Sequence, residues 1–165
     1  MTRYITVLKQ ADIFYGLTPT QLELIAGICQ EKTYAAGEII LPEGSSSDEL
    51  YVIMKGDVEI LVNPDLVSHH PGKPSSVSVA CLGRGQSFGE IALVDRGLRS
   101  ATVRSAQNNT MLLVIPRDKL LQLCETFPQL GYRLMFNLAA DLALKARMVD
   151  LRTREGLVDH PHTNK

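Results

Sequence analysis

The sequence predicts a mostly β domain: a double-stranded β-helix, or jelly-roll barrel, with short N-terminal helices and one long C-terminal helix. Between Thr33 and Ile115, short runs of β-branched and aromatic residues alternate with glycines, the pattern of many short strands joined by turns. No helical rhythm interrupts that stretch, as a parallel sheet with covering helices would require. On both sides of it the apolar spacing changes to threes and fours. The domain is expected over residues 1–155, with N-terminal helices at 3–30, the barrel at 33–115 and C-terminal helices at 117–155. Residues 156–165 read as a flexible tail.

Residues 3–10 suit a short helix. Thr18-Pro19 reads as a helix cap with proline in the first turn. Leu22, Ile25, Ala26 and Cys29 follow at helical spacing, which predicts a helix over 19–30. Strands are expected at Tyr34, Ile39–Leu41, Leu50–Met54, Val58–Val62 and Val77–Leu82, with Gly37, Gly44, Gly56, Gly83 and Gly85 between them. Lys55-Gly56-Asp57 predicts a tight reversal. Asn63–Ser76, with Pro64, Pro71, Gly72 and Pro74, reads as an exposed hairpin loop. Ala101–Val103 and Met111–Ile115 supply the last strands. A short helix is then expected at Asp118–Cys124, a break at Pro128, and one long helix from Leu130 to Arg154. Met135, Leu138, Leu142, Ala146 and Val149 form its apolar face. Lys145, Arg147, Arg152 and Arg154 suit its C-terminal half.

Composition narrows the class. The 165 residues suit one domain, and the apolar share of 45% is enough for a sizeable core. With 21% charged residues and a net charge of −1, the chain is not a strongly basic nucleic-acid binder. No apolar run approaches the roughly twenty residues of a membrane span, and the N-terminus lacks the pattern of a signal peptide. Cys29, Cys81 and Cys124 are odd in number, far apart and in apolar contexts. They read as buried free thiols of a cytoplasmic protein. His69, His70, His160 and His162 fall in the polar loop and the tail. A barrel metal site needs inward-facing ligands on strands, so neither a metal nor an enzyme is expected.

The segment Phe88–Val103, FGEIALVDRGLRSATV, carries the candidate chemistry. Gly83, Gly85 and Gly89 are too dense for a strand. Gly89 suits a close backbone approach, and Glu90-Ile91-Ala92-Leu93 reads as a single helical turn starting beside it. Free amides at such a start favour an anion. Arg99 adds a planar fork of donors that matches a phosphate, Ser100 adds a hydroxyl, and Ala101 leaves room for a ligand. The Glu90 carboxylate can accept hydrogens from a sugar. The plainer reading of the same residues is a glycine-rich turn with a surface ion pair of little worth.

The stretch resembles the phosphate-binding cassette of the cyclic nucleotide-binding domain family. That family includes regulatory subunits of cAMP-dependent protein kinase, nucleotide-gated channels and the Crp/Fnr regulators. The shared pattern is Phe88-Gly89-Glu90-Ile91-Ala92-Leu93, a loop, then Arg99-Ser100-Ala101-Thr102-Val103. Tyr34–Ile40, Glu43-Gly44 and Leu50–Val58 are similar as well, so the likeness covers roughly residues 10–150. It implies a ligand, cAMP or cGMP, and no catalytic cofactor. It implies that Glu90 bonds the ribose 2'-hydroxyl and that Arg99 pairs with an equatorial phosphate oxygen. The amides of Ile91, Ala92 and Ala101 become donors to ligand oxygens. Ser100 stands where a hydroxyl can help to hold guanine. Leu142, Lys145, Ala146 and Val149 of the long helix would cover the base. The chain reaches Lys165 soon after that helix, so the helix-turn-helix of Crp/Fnr regulators is not expected. The output is then expected through a partner protein or a homodimer on the C-terminal helix. The alternative is a degenerate domain serving as an interaction or dimerisation scaffold.

Overall fold

The computed structural model describes residues 1–63 and 76–158. It opens with α1 (Thr2–Leu8), a 3₁₀ turn at Asp12–Phe14, and α2 (Pro19–Ile28). The start of α2 is fixed by its sequence. Thr18 Oγ1 accepts from the Gln21 amide at 3.2 Å, and Gln21 Oε1 accepts from the Thr18 amide at 2.9 Å. This reciprocal box satisfies two amides that a helix start leaves open, and Pro19 brings none of its own. The helix stops short of the expected end because Cys29 turns extended and Gln30 pairs with Val114.

Among the described residues eight strands follow: β1 (Gln30–Tyr34), β2 (Ile39–Leu41), β3 (Glu49–Lys55), β4 (Val58–Val62), β5 (Val77–Leu82), β6 (Ser87–Phe88), β7 (Thr102–Ser105) and β8 (Thr110–Pro116). They form two antiparallel four-stranded sheets, ordered β1-β8-β3-β6 and β2-β7-β4-β5. Both sheets are open: among the described residues no strand pairing joins β1 or β6 to β2 or β5. The expected jelly-roll barrel is therefore corrected to a mixed fold of helices on two open sheets, and the domain is not mostly β. No described strand exceeds seven residues, whereas the last helix alone holds 31. Glycine-punctuated apolar runs report strands, but closure is hydrogen bonding between sheet edges, which leaves no trace in periodicity.

The layers explain why β3 and β8 read as unbroken apolar runs. Leu50, Val52, Met54, Leu113 and Ile115 face the helices. Their neighbours Tyr51, Ile53, Leu112 and Val114 face the second sheet, packing with Ile40, Leu41, Val58, Phe88 and Val103. The centre of the first sheet, β3 and β8, is thus buried on both faces, as continuous hydrophobic strands require. The reversal at Gly56 is present with φ of 84°. It joins strands of different sheets, so it carries the chain across the core and closes no hairpin. The strands flanking the polar insertion, β4 and β5, do pair antiparallel, while residues 64–75 of the predicted loop lie outside the described residues.

The chain ends in α3 (Arg117–Thr126) and α4 (Pro128–Val158). Pro128 opens α4, where a missing amide hydrogen costs nothing. Its inner face is Leu130, Leu134 and Leu138, with Met135 and Leu142 partly covered. Ala146 and Val149, expected on the same face, are exposed, as is every residue from Ala143 to Gly156. The second half of α4 projects from the body. Helix continues through Val158 where a tail was expected from 156; residues 159–165, with His160 and His162, lie outside the described residues, as do His69 and His70. Burial pushes the Cys29 thiol up to about 12 and raises Cys124 as well. Cys81 departs from expectation: it is exposed on the outer face of β5. No described helix is long and apolar enough to cross a membrane.

Candidate functional site

The site is built on the end of β6. Phe88 is buried and its ring stacks on Tyr51, with centroids 4.9 Å apart and planes 3° from parallel. This fixes where the chain leaves the sheet. Gly89 then takes φ of 83°, and Glu90–Leu93 follows as one 3₁₀ turn. Ala92 and Leu93 are buried and anchor the turn.

Gly89 answers the question raised by the glycine-rich sequence. A Cβ there would lie 2.9 Å from the Glu49 carbonyl oxygen and 3.0 Å from Arg99 Nη1. The close approach is to the protein itself, to the very arginine expected to meet a phosphate. Both the backbone angle and the space exclude a side chain. Gly89→Ala is expected to cost about 1–3 kcal/mol of stability and to push Arg99 from its seat. A urea melt measures the first effect and the ligand titrations below the second.

Arg99 closes the loop Asp95–Leu98, in which Asp95 Oδ1 accepts from the Gly97 amide at 2.9 Å. Its own backbone is tied to the β2–β3 connection: the Arg99 amide donates to Ser45 O at 2.9 Å, and the Gly44 amide donates to Arg99 O at 2.8 Å. The part-buried guanidinium donates from Nη1 to Gly89 O at 3.1 Å. From Nη2 it donates to Glu49 O at 2.7 Å and to Ser47 Oγ at 3.3 Å. Its Nε is buried without a partner. All the acceptors are neutral, and no ion pair to Arg99 occurs among the described residues. The cation is held rigidly with its charge uncompensated, an expensive arrangement unless an anion completes it.

Arg99 stands on the wall of a cavity of about 330 Å³. Phe88, Gly89, Glu90, Ile91, Ala92, Arg99, Ser100 and Ala101, the eight residues singled out in the sequence, all line it. Leu41, Ile60, Leu82 and Val103, all of the second sheet, give it an apolar floor. One expected donor is already engaged: the Ala92 amide bonds the Gly89 carbonyl at 3.2 Å.

Glu90 is mostly buried and meets the long helix. Lys145 Nζ donates to Glu90 Oε1 at 2.8 Å and approaches Asp141 Oδ2 at 2.9 Å. Burial alone would lower the Lys145 ammonium, but the hydrogen bonds and charges of Glu90 and Asp141 outweigh it and the net shift is upward. Glu90 Oε2 is buried with no partner. Of the four residues expected to cover a base, Lys145 alone lines the cavity. Leu142 packs toward the helical core, and Ala146 and Val149 face outward.

Sequence reasoning missed Ser47 and Glu49. They act through a hydroxyl and a main-chain carbonyl on Arg99, and a carbonyl carries no residue signature. The Glu49 side chain adds a further tie, accepting from the Tyr51 hydroxyl beside Phe88.

Residues 31–127 match the family model described as the cyclic nucleotide-binding domain. The chain is 32% identical over 144 residues to the cyclic AMP receptor protein of Thermus thermophilus, covering 87% of this chain and 61% of that protein. It is 26% identical over 128 residues to human cGMP-dependent protein kinase 2, covering 78% of this chain and 16% of the kinase. It therefore spans about three fifths of the first relative and about a sixth of the second. Among solved structures, the regulatory domain of Toxoplasma gondii PKA, co-crystallised with cAMP, superposes with a TM-score of 0.63 at 25% identity. That match covers 74% of this chain and 43% of the other.

Proposed function

Because the chain belongs to the cyclic nucleotide-binding domain family, a family of non-catalytic binding and regulatory domains, we propose that it senses cAMP or cGMP in the cavity beside Arg99. The observation that carries this reading is the uncompensated Arg99 guanidinium, seated by neutral acceptors on the wall of a cavity of about 330 Å³. A singly charged cyclic phosphate supplies the missing anion. The apolar floor suits a base and sugar, and Glu90 takes the ribose 2'-hydroxyl. Ser100 beside Arg99 offers a hydroxyl to guanine. Catalysis plays no part, and the response passes through α4. With three free thiols, a reducing cytoplasm suits the protein.

Calorimetric titration with cAMP and with cGMP tests the reading. Binding in the roughly micromolar range, about −8 kcal/mol, is expected for at least one of them. No heat and no competition by either nucleotide up to millimolar concentration would sink the idea.

A second reading has its own observation. Leu144, Met148 and Leu151 are 58%, 48% and 53% exposed and recur at the spacing of one helical face. Two projecting α4 helices could pair along this stripe. Sedimentation with and without nucleotide separates the readings: a dimer indifferent to nucleotide favours a scaffold.

A further inference from the structure

The ladder between β3 and β6 has two rungs, Val52–Ser87 and Tyr51–Phe88. Past the second rung the chain turns away at Gly89. The Glu49 carbonyl faces this gap, 2.9 Å from where a Gly89 Cβ would stand, and Arg99 Nη2 fills it by donating at 2.7 Å. Arg99 thus supplies the partner that a sheet edge needs. Its three bonds to the protein use three of the five guanidinium hydrogens. The second hydrogen of Nη1 and that of Nε have no partner among the described residues. Tyr51 stands at the last rung and splints the strand beyond it. Ser47, Glu49 and Tyr51 alternate along the chain, which puts them on one face of an extended segment. The Tyr51 ring is 2% exposed and fixed by its stack on Phe88. Its hydroxyl donates to Glu49 Oε2 and takes a hydrogen bond from Ser47. Burial and the Glu49 carboxylate hold the Tyr51 phenol above its usual range, with Ser47 acting against them, so the hydroxyl keeps its hydrogen for Glu49.

From this arrangement we propose that Tyr51 is a positioning residue for ligand recognition: by holding Glu49 and Ser47 it fixes the plane of the Arg99 guanidinium and sets its two unpartnered hydrogens for the cyclic phosphate. The inference rests on the nucleotide reading above and adds to it a residue outside the cavity lining. Its effect passes through Arg99. Without the Tyr51 hydroxyl, the Glu49 carboxylate turns to water and Ser47 loses the acceptor that orients it. The unpaired start of β3 then loosens, and the guanidinium is free to rotate. The ligand must then order that fork itself, and the ordering is subtracted from its affinity.

Tyr51→Phe tests this, because it keeps the stack on Phe88 and removes one oxygen. Calorimetry should find cAMP or cGMP bound about three- to tenfold more weakly than by the wild type, the weight of one hydrogen bond. The same change made in Arg99→Lys, which has no planar fork to orient, should cost less than about twofold, since residues that act through one contact do not add. Nitrogen-15 spectra of the ligand-free protein give a second readout. Three contacts hold the Arg99 fork against rotation, so its Nη hydrogens should give separate signals in the wild type and merge in Tyr51→Phe. An equal loss of affinity in both backgrounds assigns Tyr51 to the fold at large and overturns the inference. Unchanged binding by Tyr51→Phe, with the wild type binding normally, overturns it too, and both results leave the nucleotide reading standing. If the wild type binds neither nucleotide, the nucleotide reading falls and the role in recognition falls with it. Unchanged Arg99 signals in Tyr51→Phe overturn the positioning role whether or not nucleotide binds.

Discussion

Phe88→Ala is expected to lower the unfolding free energy by about 3–5 kcal/mol, the usual cost of removing a buried phenylalanine ring. A urea melt reads it as a lower midpoint with little change of slope. The ring is 5% exposed and lies parallel on Tyr51, an arrangement worth about 0.5–1.5 kcal/mol beyond the area it buries. Its place makes the upper part of that range the expectation. The two sheets are open, so they are held together by the chain crossings and by the apolar layer between them. Phe88 sits in that layer with Ile53, Val103 and Leu112. Phe88→Leu keeps most of the volume and should cost less than about 1.5 kcal/mol. If alanine costs no more than leucine, the volume of the ring is not what fills the layer between the sheets. The residue leads the motif that drew attention in the sequence, yet its own work is packing. It sets the exit of the chain at Gly89, and so the position of everything after it.

This division marks how far the sequence could be read. The helices at both ends were legible because their apolar spacing and caps are local: Thr18 with Gln21 fixes one start, and Leu130, Leu134 and Leu138 repeat on one face of α4. Most strands were legible too, through short apolar runs between glycines; β1 before Tyr34 and the two-residue β6 were not, since the first is polar and the second sits among glycines. Their arrangement into two open sheets was not, since edge pairing is decided by residues distant in the chain. Nor was the half-exposed end of α4, where Ala146 and Val149 keep an apolar spacing with nothing packed on it. Within the site, the eight residues of the motif meet around one cavity. What the motif could not reveal was how Arg99 is held. Its acceptors are the carbonyls of Gly89 and Glu49 and the hydroxyl of Ser47, two of which come from fifty or more positions away.

Arg99→Ala is expected to weaken cyclic nucleotide binding by about ten- to a hundredfold, the loss of one charge-assisted hydrogen bond at about 1.5–3 kcal/mol. Alanine alone would leave the cause ambiguous. The guanidinium also ties Gly89 to Glu49, so its removal costs about 0.5–1.5 kcal/mol of stability for each bond lost without replacement. Arg99→Lys separates the two roles. Lysine keeps the charge on a flexible stem but lacks the planar fork, so it cannot reach two carbonyls and a phosphate at once. It should restore part of the long-range attraction and little of the geometry, binding between alanine and wild type. The difference between lysine and wild type should persist in high salt, because a directed pair in a partly buried site is screened far less than an exposed charge. If lysine binds as the wild type does, charge alone suffices and the carbonyl cradle at Gly89 and Glu49 serves only the fold. If alanine binds as the wild type does, the anion is held elsewhere, and the uncompensated charge on the cavity wall has no part in recognition.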